Sequence, residues 1–102
     1  MEPPIDIDHF EAVTFGDRAL QREVLGLFEA QALTLLETIR TASGKTQSEA
    51  AHALKGAARG IGAFTLAEEA EKIEQGDSSA VERLALRVAD ANRAAASLLS
   101  KD

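Results

Sequence analysis

The chain has no cysteine, no tryptophan and no tyrosine; apart from two histidines its only aromatic rings are four phenylalanines. Without cysteine no disulfide framework can form, which is compatible with a reducing compartment. Proline occurs only at Pro3 and Pro4. No apolar stretch approaches the roughly 20 residues that span a bilayer, and Met1-Glu2-Pro3-Pro4 has neither the basic nor the apolar region of an export signal. A soluble, unexported, cytoplasmic protein is expected. Positive charge is also scarce: 11 Lys and Arg against 17 Asp and Glu give a net charge of −6. That balance argues against general binding to nucleic acid or to an anionic membrane.

What is present is material for helices. Apolar residues make up 45% of the chain, Ala and Leu are abundant, and no convincing period-2 strand occurs. Its 102 residues are one domain, residues 1–102, long enough for a modest core. An initiating Met1 favours a free-standing protein. A short helix is expected over Ile5 to Thr14, with Asp6 or Asp8 as its N-cap, broken by Phe15-Gly16. From Asp17 to Thr41, Leu20, Val24, Leu27, Phe28, Leu35 and Ile39 form a helical stripe that stops at Ser43-Gly44. The next helix starts near Thr46, where Glu49 completes the spacing of a capping box, and ends at Gly60-Ile61-Gly62. A further helix uses Leu66, Ala70 and Ile73 and ends at Gly76. The last places Val81, Leu84, Val88, Ala91, Ala95 and Leu98 three and four residues apart, a seam for bundle packing. The expected fold is all-α, an antiparallel up-and-down four-helix bundle with a short additional N-terminal helix.

One stretch does not fit a purely structural role. At about 100° of rotation per residue, Ala50, Leu54, Ala57, Ala58 and Ile61 fall on the side opposite His52, while Lys45, Ser48, Lys55, Gly56 and Arg59 lie within about 60° of it. The imidazole therefore faces water among cations, against the sign of the chain as a whole. A ring nitrogen free near neutral pH is a competent nucleophile. Lys55 and Arg59 suit the three acceptor oxygens of a phosphoryl group. Gly56, without a Cβ, opens a groove beside His52; a glycine inside a helix costs up to about 1 kcal/mol against alanine, so it needs a reason.

His52-Ala53-Leu54-Lys55-Gly56, followed by Ala57-Ala58 and Gly62, resembles the signature of histidine-containing phosphotransfer (HPt) domains. The similarity continues through Leu66 to Glu74, so roughly a quarter of the chain carries the specific match, more than a lone short motif. The resemblance implies a phosphorelay carrier and not an enzyme. His52 is then the phosphoacceptor, taking the group from a receiver-domain aspartyl phosphate and yielding it to a second receiver. The receivers, in response regulators or hybrid sensor kinases, supply Mg²⁺ and most of the electrostatic machinery; no cofactor or metal of the chain's own is implied. Lys55, Gly56 and Arg59 complete the acceptor site. Ser48, Ile7, Phe10 and Val13 are candidate docking residues, capping of the bundle end being the other role for the last three. Two departures stand out. Glu74 occupies a position where several members have a phosphoryl-contacting Gln, and a carboxylate there is expected to repel phosphate. Arg59 is charged where the family often is not.

Other readings carry less. Lys55 and Arg59 taken alone form a solvated face paired with Glu49 or Glu69, and Gly56 taken alone marks close helix packing. Ser43-Gly44-Lys45-Thr46 imitates the tail of a P-loop, but Ile39 stands where its first Gly belongs. Glu49-x-x-His52 has the spacing of a di-iron ligand pair without a second copy. No nucleophile elbow is present, and His52 lacks the acidic neighbour and later Pro of a histidine-kinase dimerisation helix. Two alternatives stay open: a helical scaffold or adaptor that never carries phosphate, favoured by Glu74 alone, and a homodimer through the last helix in place of the monomer usual for the resembled family.

Overall fold

A computed structural model describes residues 2–100, so Met1, on which the free-standing reading rests, lies outside the described residues. The chain is helical from Ile7 onward: α1 is Ile7–Val13, α2 Arg18–Thr41, α3 Gly44–Ile61, α4 Phe64–Glu74 and α5 Val81–Leu99, with one 3₁₀ turn, Ser78–Ala80, leading into α5. Helix α3 packs against α2 and α4, α5 closes the arrangement against the same two, and α1 lies on α3.

The starts of α1 and α2 follow from their caps. Asp6 and Asp17 each accept, at 3.1 Å, the backbone N–H three residues on, from His9 and Leu20. Helix α1 is therefore shorter than Ile5 to Thr14, and Ile5 is buried in the core. The joint between α2 and α3 is only Ala42-Ser43, and Gly44 turns the chain there with φ +61°. Helix α3 consequently begins two residues before Thr46, which leaves Thr46 and Glu49 inside the helix and not in a capping box.

At the other end of α3, Gly62 stops the helix with φ +86°. The N–H of Ala63 reaches the Ala58 carbonyl at 2.8 Å and that of Gly62 the Arg59 carbonyl at 3.3 Å, the paired bonds of a Schellman ending. The Gly62 carbonyl then accepts the Asp6 N–H at 2.8 Å, which fastens the start of α1 to the end of α3. A Cβ at Gly62 meets the Asp6 carbonyl oxygen at 3.0 Å and the His9 ring at 3.2 Å.

The core confirms the expected faces of α3, α4 and α5: Leu54, Ile61, Leu66, Ile73, Leu84 and Val88 are all buried. It corrects α2. The buried line is Leu25, Phe28, Ala32, Leu36 and Ile39, whereas Leu27 is 65% exposed and Val24 and Leu35 lie at the edge. Two apolar lines run one residue apart along α2, and the choice between them is made by the neighbouring helices. Gln21 begins the buried line because its amide is satisfied there, donating to Thr14 Oγ1 at 3.1 Å and Glu11 Oε2 at 3.2 Å and accepting from Arg18 at 3.0 Å. Phe10 is also core, at 1% exposure: α1 lies across the end of α3 and its one bulky ring points inward. It is not a docking residue. Between α4 and α5, Glu69 receives Lys72 Nζ and Arg83 Nε, each at 2.9 Å. Burial pushes its carboxyl pKa up, but the two hydrogen bonds outweigh that and hold it below the usual range.

Gly62→Ala combines a left-handed backbone with the clash on Asp6, and a loss of about 1–3 kcal/mol in urea unfolding is expected. An unchanged urea midpoint would remove Gly62 as the fastening of α1.

Candidate phosphoacceptor site

The exposed face of α3 carries the expected residues. His52 has 69% of its side chain in solvent, two positions from the fully buried Leu54. Its flank toward α4 is the part that the sequence reading misjudged. Small side chains line this contact, with Ala51 and Ala58 on α3 and Ala67 and Ala70 on α4 all buried, so the two helices approach closely. The Ser48 hydroxyl donates to the Glu74 carbonyl at 2.9 Å and pins the end of α4 beside His52. That places Ser48 in a bond between helices.

The Glu74 carboxylate consequently lies against the imidazole. One oxygen is 2.6 Å from His52 Nδ1 and the other 2.5 Å from Lys55 Nζ. The Lys55 hydrogen bond is the main cause holding the Glu74 carboxyl below its ordinary pKa; desolvation opposes it and the His52 bond reinforces it. An ionised carboxylate only accepts, so Nδ1 must be the donor, and the ring proton belongs on that nitrogen. Among the described residues nothing bonds Nε2, and its lone pair is the one available to an electrophile. Glu74 thus fixes both the ring orientation and the tautomer. The side chain read from sequence as repelling phosphate is hydrogen-bonded to the His52 ring itself.

The cations differ in availability. Lys55 has only 14% of its side chain exposed and leans on Glu74, while Arg59 is half exposed, with its guanidinium 3.8 Å from Glu71. Their partners are therefore Glu74 and Glu71, not Glu49 or Glu69. Arg59, loosely held, is free to reorient toward a new anion; Lys55 must share itself with Glu74. At Gly56 an added Cβ finds no atom within 4 Å, and the same holds at Gly60 one turn on. Close helix packing does not explain Gly56, whose missing side chain leaves open surface beside His52.

A groove of about 380 Å³ lies between α1, α2 and α3, lined by Val13, Val24, Leu27, Ala57, Gly60 and Ile61 among others. Gly60 lies about 12 Å along α3 from His52. Val13 is 44% and Ile7 42% exposed. Val24 and Leu27 were legible only as core, because an apolar line on a helix does not announce which neighbour it lacks.

A family model described as Hpt domain matches residues 23–98. The chain belongs to the Hpt domain family. No curated protein and no solved structure matches it. Hpt domains carry phosphoryl groups on histidine in phosphorelays and interact with receiver domains; they are phosphocarriers and not conventional enzymes. In this Hpt domain the matched span contains all of α3 and α4, and so His52, Lys55, Gly56, Arg59 and Glu74 together. Among the described residues no helix is long and apolar enough to cross a membrane.

The Glu74 pairing gives this Hpt domain a pH signature. A carboxyl whose pKa is lower folded than unfolded adds stability above its ordinary value, near pH 4.5, and loses it as pH falls through the lowered folded value. The difference in urea midpoint between wild type and Glu74→Gln is therefore expected to narrow between about pH 5.5 and about pH 3. A difference that stays constant over that range would mean the carboxylate is not paired in solution.

Proposed function

We propose that this Hpt domain is a receiver-to-receiver phosphohistidine carrier with His52 as its acceptor. The Nε2 lone pair forms the new N–P bond, the acyl-phosphate P–O bond breaks with its electron pair leaving on the receiver aspartate, and the ring proton stays on Nδ1. A second receiver's aspartate reverses these changes. The observation that carries the reading is an exposed imidazole whose Nδ1 is tied to Glu74 while Nε2 is unoccupied.

Arg59 and Lys55 meet the transferred charge, and Mg²⁺ comes with the receiver. The receiver approaches over Gly56 and Gly60 and seats apolar side chains in the groove bordered by Val13 and Leu27. This occupant is favoured because Gly60, which presents no side chain, lines the groove and lies about 12 Å along α3 from His52, within the span of one partner domain. The protein acts as a cytoplasmic monomer, one carrier domain. Its helices run up and down in antiparallel order, supported by pairings at opposite ends: Arg18 with the Leu98 carbonyl, Gln47 with the Ile39 carbonyl, and Ser48 with that of Glu74.

The test is transfer of labelled phosphate from a panel of phosphorylated receivers. Acid-labile, alkali-stable label is expected on the wild type and none on His52→Gln. Because His52 is exposed, that variant is expected to unfold within about 0.5 kcal/mol of the wild type. No label from any receiver, on a folded protein, would refute the carrier reading. Gly56→Ala is expected to raise stability by up to about 1 kcal/mol, since the new methyl meets nothing, while slowing transfer by obstructing the approach. Raised stability with unchanged transfer would remove Gly56 from the docking face.

A further inference from the structure

The carboxylate beside His52 has a consequence for the phosphorylated state. Breaking the P–N bond of a phosphoimidazole whose second nitrogen is bare expels an imidazolate anion, a poor leaving group. With a proton on that nitrogen, neutral imidazole leaves instead, and proton placement then governs how readily the group departs. In this protein the nitrogen opposite the acceptor atom is Nδ1, held 2.6 Å from a carboxylate that is kept ionised by Lys55.

From the His52–Glu74–Lys55 contact we infer that Glu74 is a positioning residue that keeps Nδ1 protonated while Nε2 carries phosphate, making phosphohistidine 52 a short-lived donor and not a store. The inference deepens the carrier reading and rests on His52 accepting a phosphoryl group.

When Nε2 takes the phosphoryl group, the ring becomes a phosphoimidazolium, and its positive charge is spread toward the Glu74 oxygen. On departure the P–N electron pair returns to Nε2, the phosphoryl goes to water or to an aspartate, and Nδ1–H remains on Glu74. The phosphoryl group sits across the ring from the carboxylate, so the attraction between Glu74 and the ring acts at hydrogen-bond distance while the repulsion acts from farther away. The other charges near the ring are Lys55, which faces Glu74; the Arg59–Glu71 pair one turn on; and Lys45 and Glu49 on the preceding turns of α3. Helix α2 contributes no ion pair to His52 among the described residues, and Glu74 is its one ionic partner there.

Glutamine at position 74 separates charge from structure, because its amide oxygen still accepts from Nδ1–H and so preserves the ring orientation. The full chain, wild type and Glu74→Gln, is charged with phosphoramidate, freed of donor, and followed by ³¹P NMR from about pH 5 to about pH 9. Near pH 5, where acid is abundant enough to supply the leaving-group proton without Glu74, equal half-lives are expected. Near pH 8 the Glu74→Gln phosphohistidine is expected to last about three to ten times longer, since a single paired charge shifts a proton equilibrium by up to about a factor of ten. Equal half-lives at every pH, or a shorter one for Glu74→Gln near pH 8, would overturn the inference, as would a wild type that takes no phosphate from phosphoramidate. Phosphoramidate needs no protein partner, so failure of the receiver panel refutes the relay reading and leaves this measurement standing.

Discussion

The site depends on the close approach of α3 and α4. The two helices pack on one another, and alanines at 51 and 58 on α3 and at 67 and 70 on α4 are each almost wholly buried. Larger side chains at this contact would hold the backbones apart and carry the Glu74 carboxylate out of reach of His52. The packing is apolar and non-directional, yet its product is a directional bond between one carboxylate oxygen and one ring nitrogen. Ser48, bonded to the Glu74 carbonyl, and Lys55, bonded to its carboxylate, hold the group in place once the helices have met.

Electrostatically the molecule is inverted at this place. An acidic chain gathers Lys55, Arg59 and an imidazole on one face, then sets a carboxylate among them. The cations alone would suit an anion-binding site. With Glu74 present, they suit an anion that must also leave. Lys55 is bonded to the carboxylate, Arg59 is held loosely by Glu71, and the ring proton has a fixed seat. Such a balance fits transfer in two directions better than tight retention.

Legibility from sequence varied with the number of neighbours that each helix face meets. Helix α3 was read in phase because its polar and apolar residues separate cleanly, so Leu54 and Ile61 were placed inside and His52 outside by rotation alone. On α2 the same arithmetic failed. Leu20, Val24 and Leu27 form as regular a line as Leu25, Phe28 and Leu36, and hydrophobicity does not distinguish them. Burial of Gln21 settled the matter, and that burial needs Thr14, Glu11 and Arg18 around it. Phe10 went wrong for a related reason: on a single short helix an aromatic residue reads equally as anchor or as core. Glu74 was placed near the site but its bond to the ring was not foreseen, because its distance from Nδ1 is set by the packing of two helices and not by position in the chain.

The sequence by itself determined the helical class, the end of α3 at Gly62, the outward phase of His52, and the cationic ring of Lys55 and Arg59. These are local properties, fixed by backbone rotation per residue and by the few residue types that tolerate a left-handed turn. Only the tertiary structure decided which apolar line of α2 is core, that Gly56 and Gly60 face open space, that Val13 and Leu27 border a groove, and that Glu74 accepts a hydrogen bond from the imidazole. Each of these depends on the separation of residues far apart in the chain, which helix–helix packing sets and which no periodicity within one helix encodes.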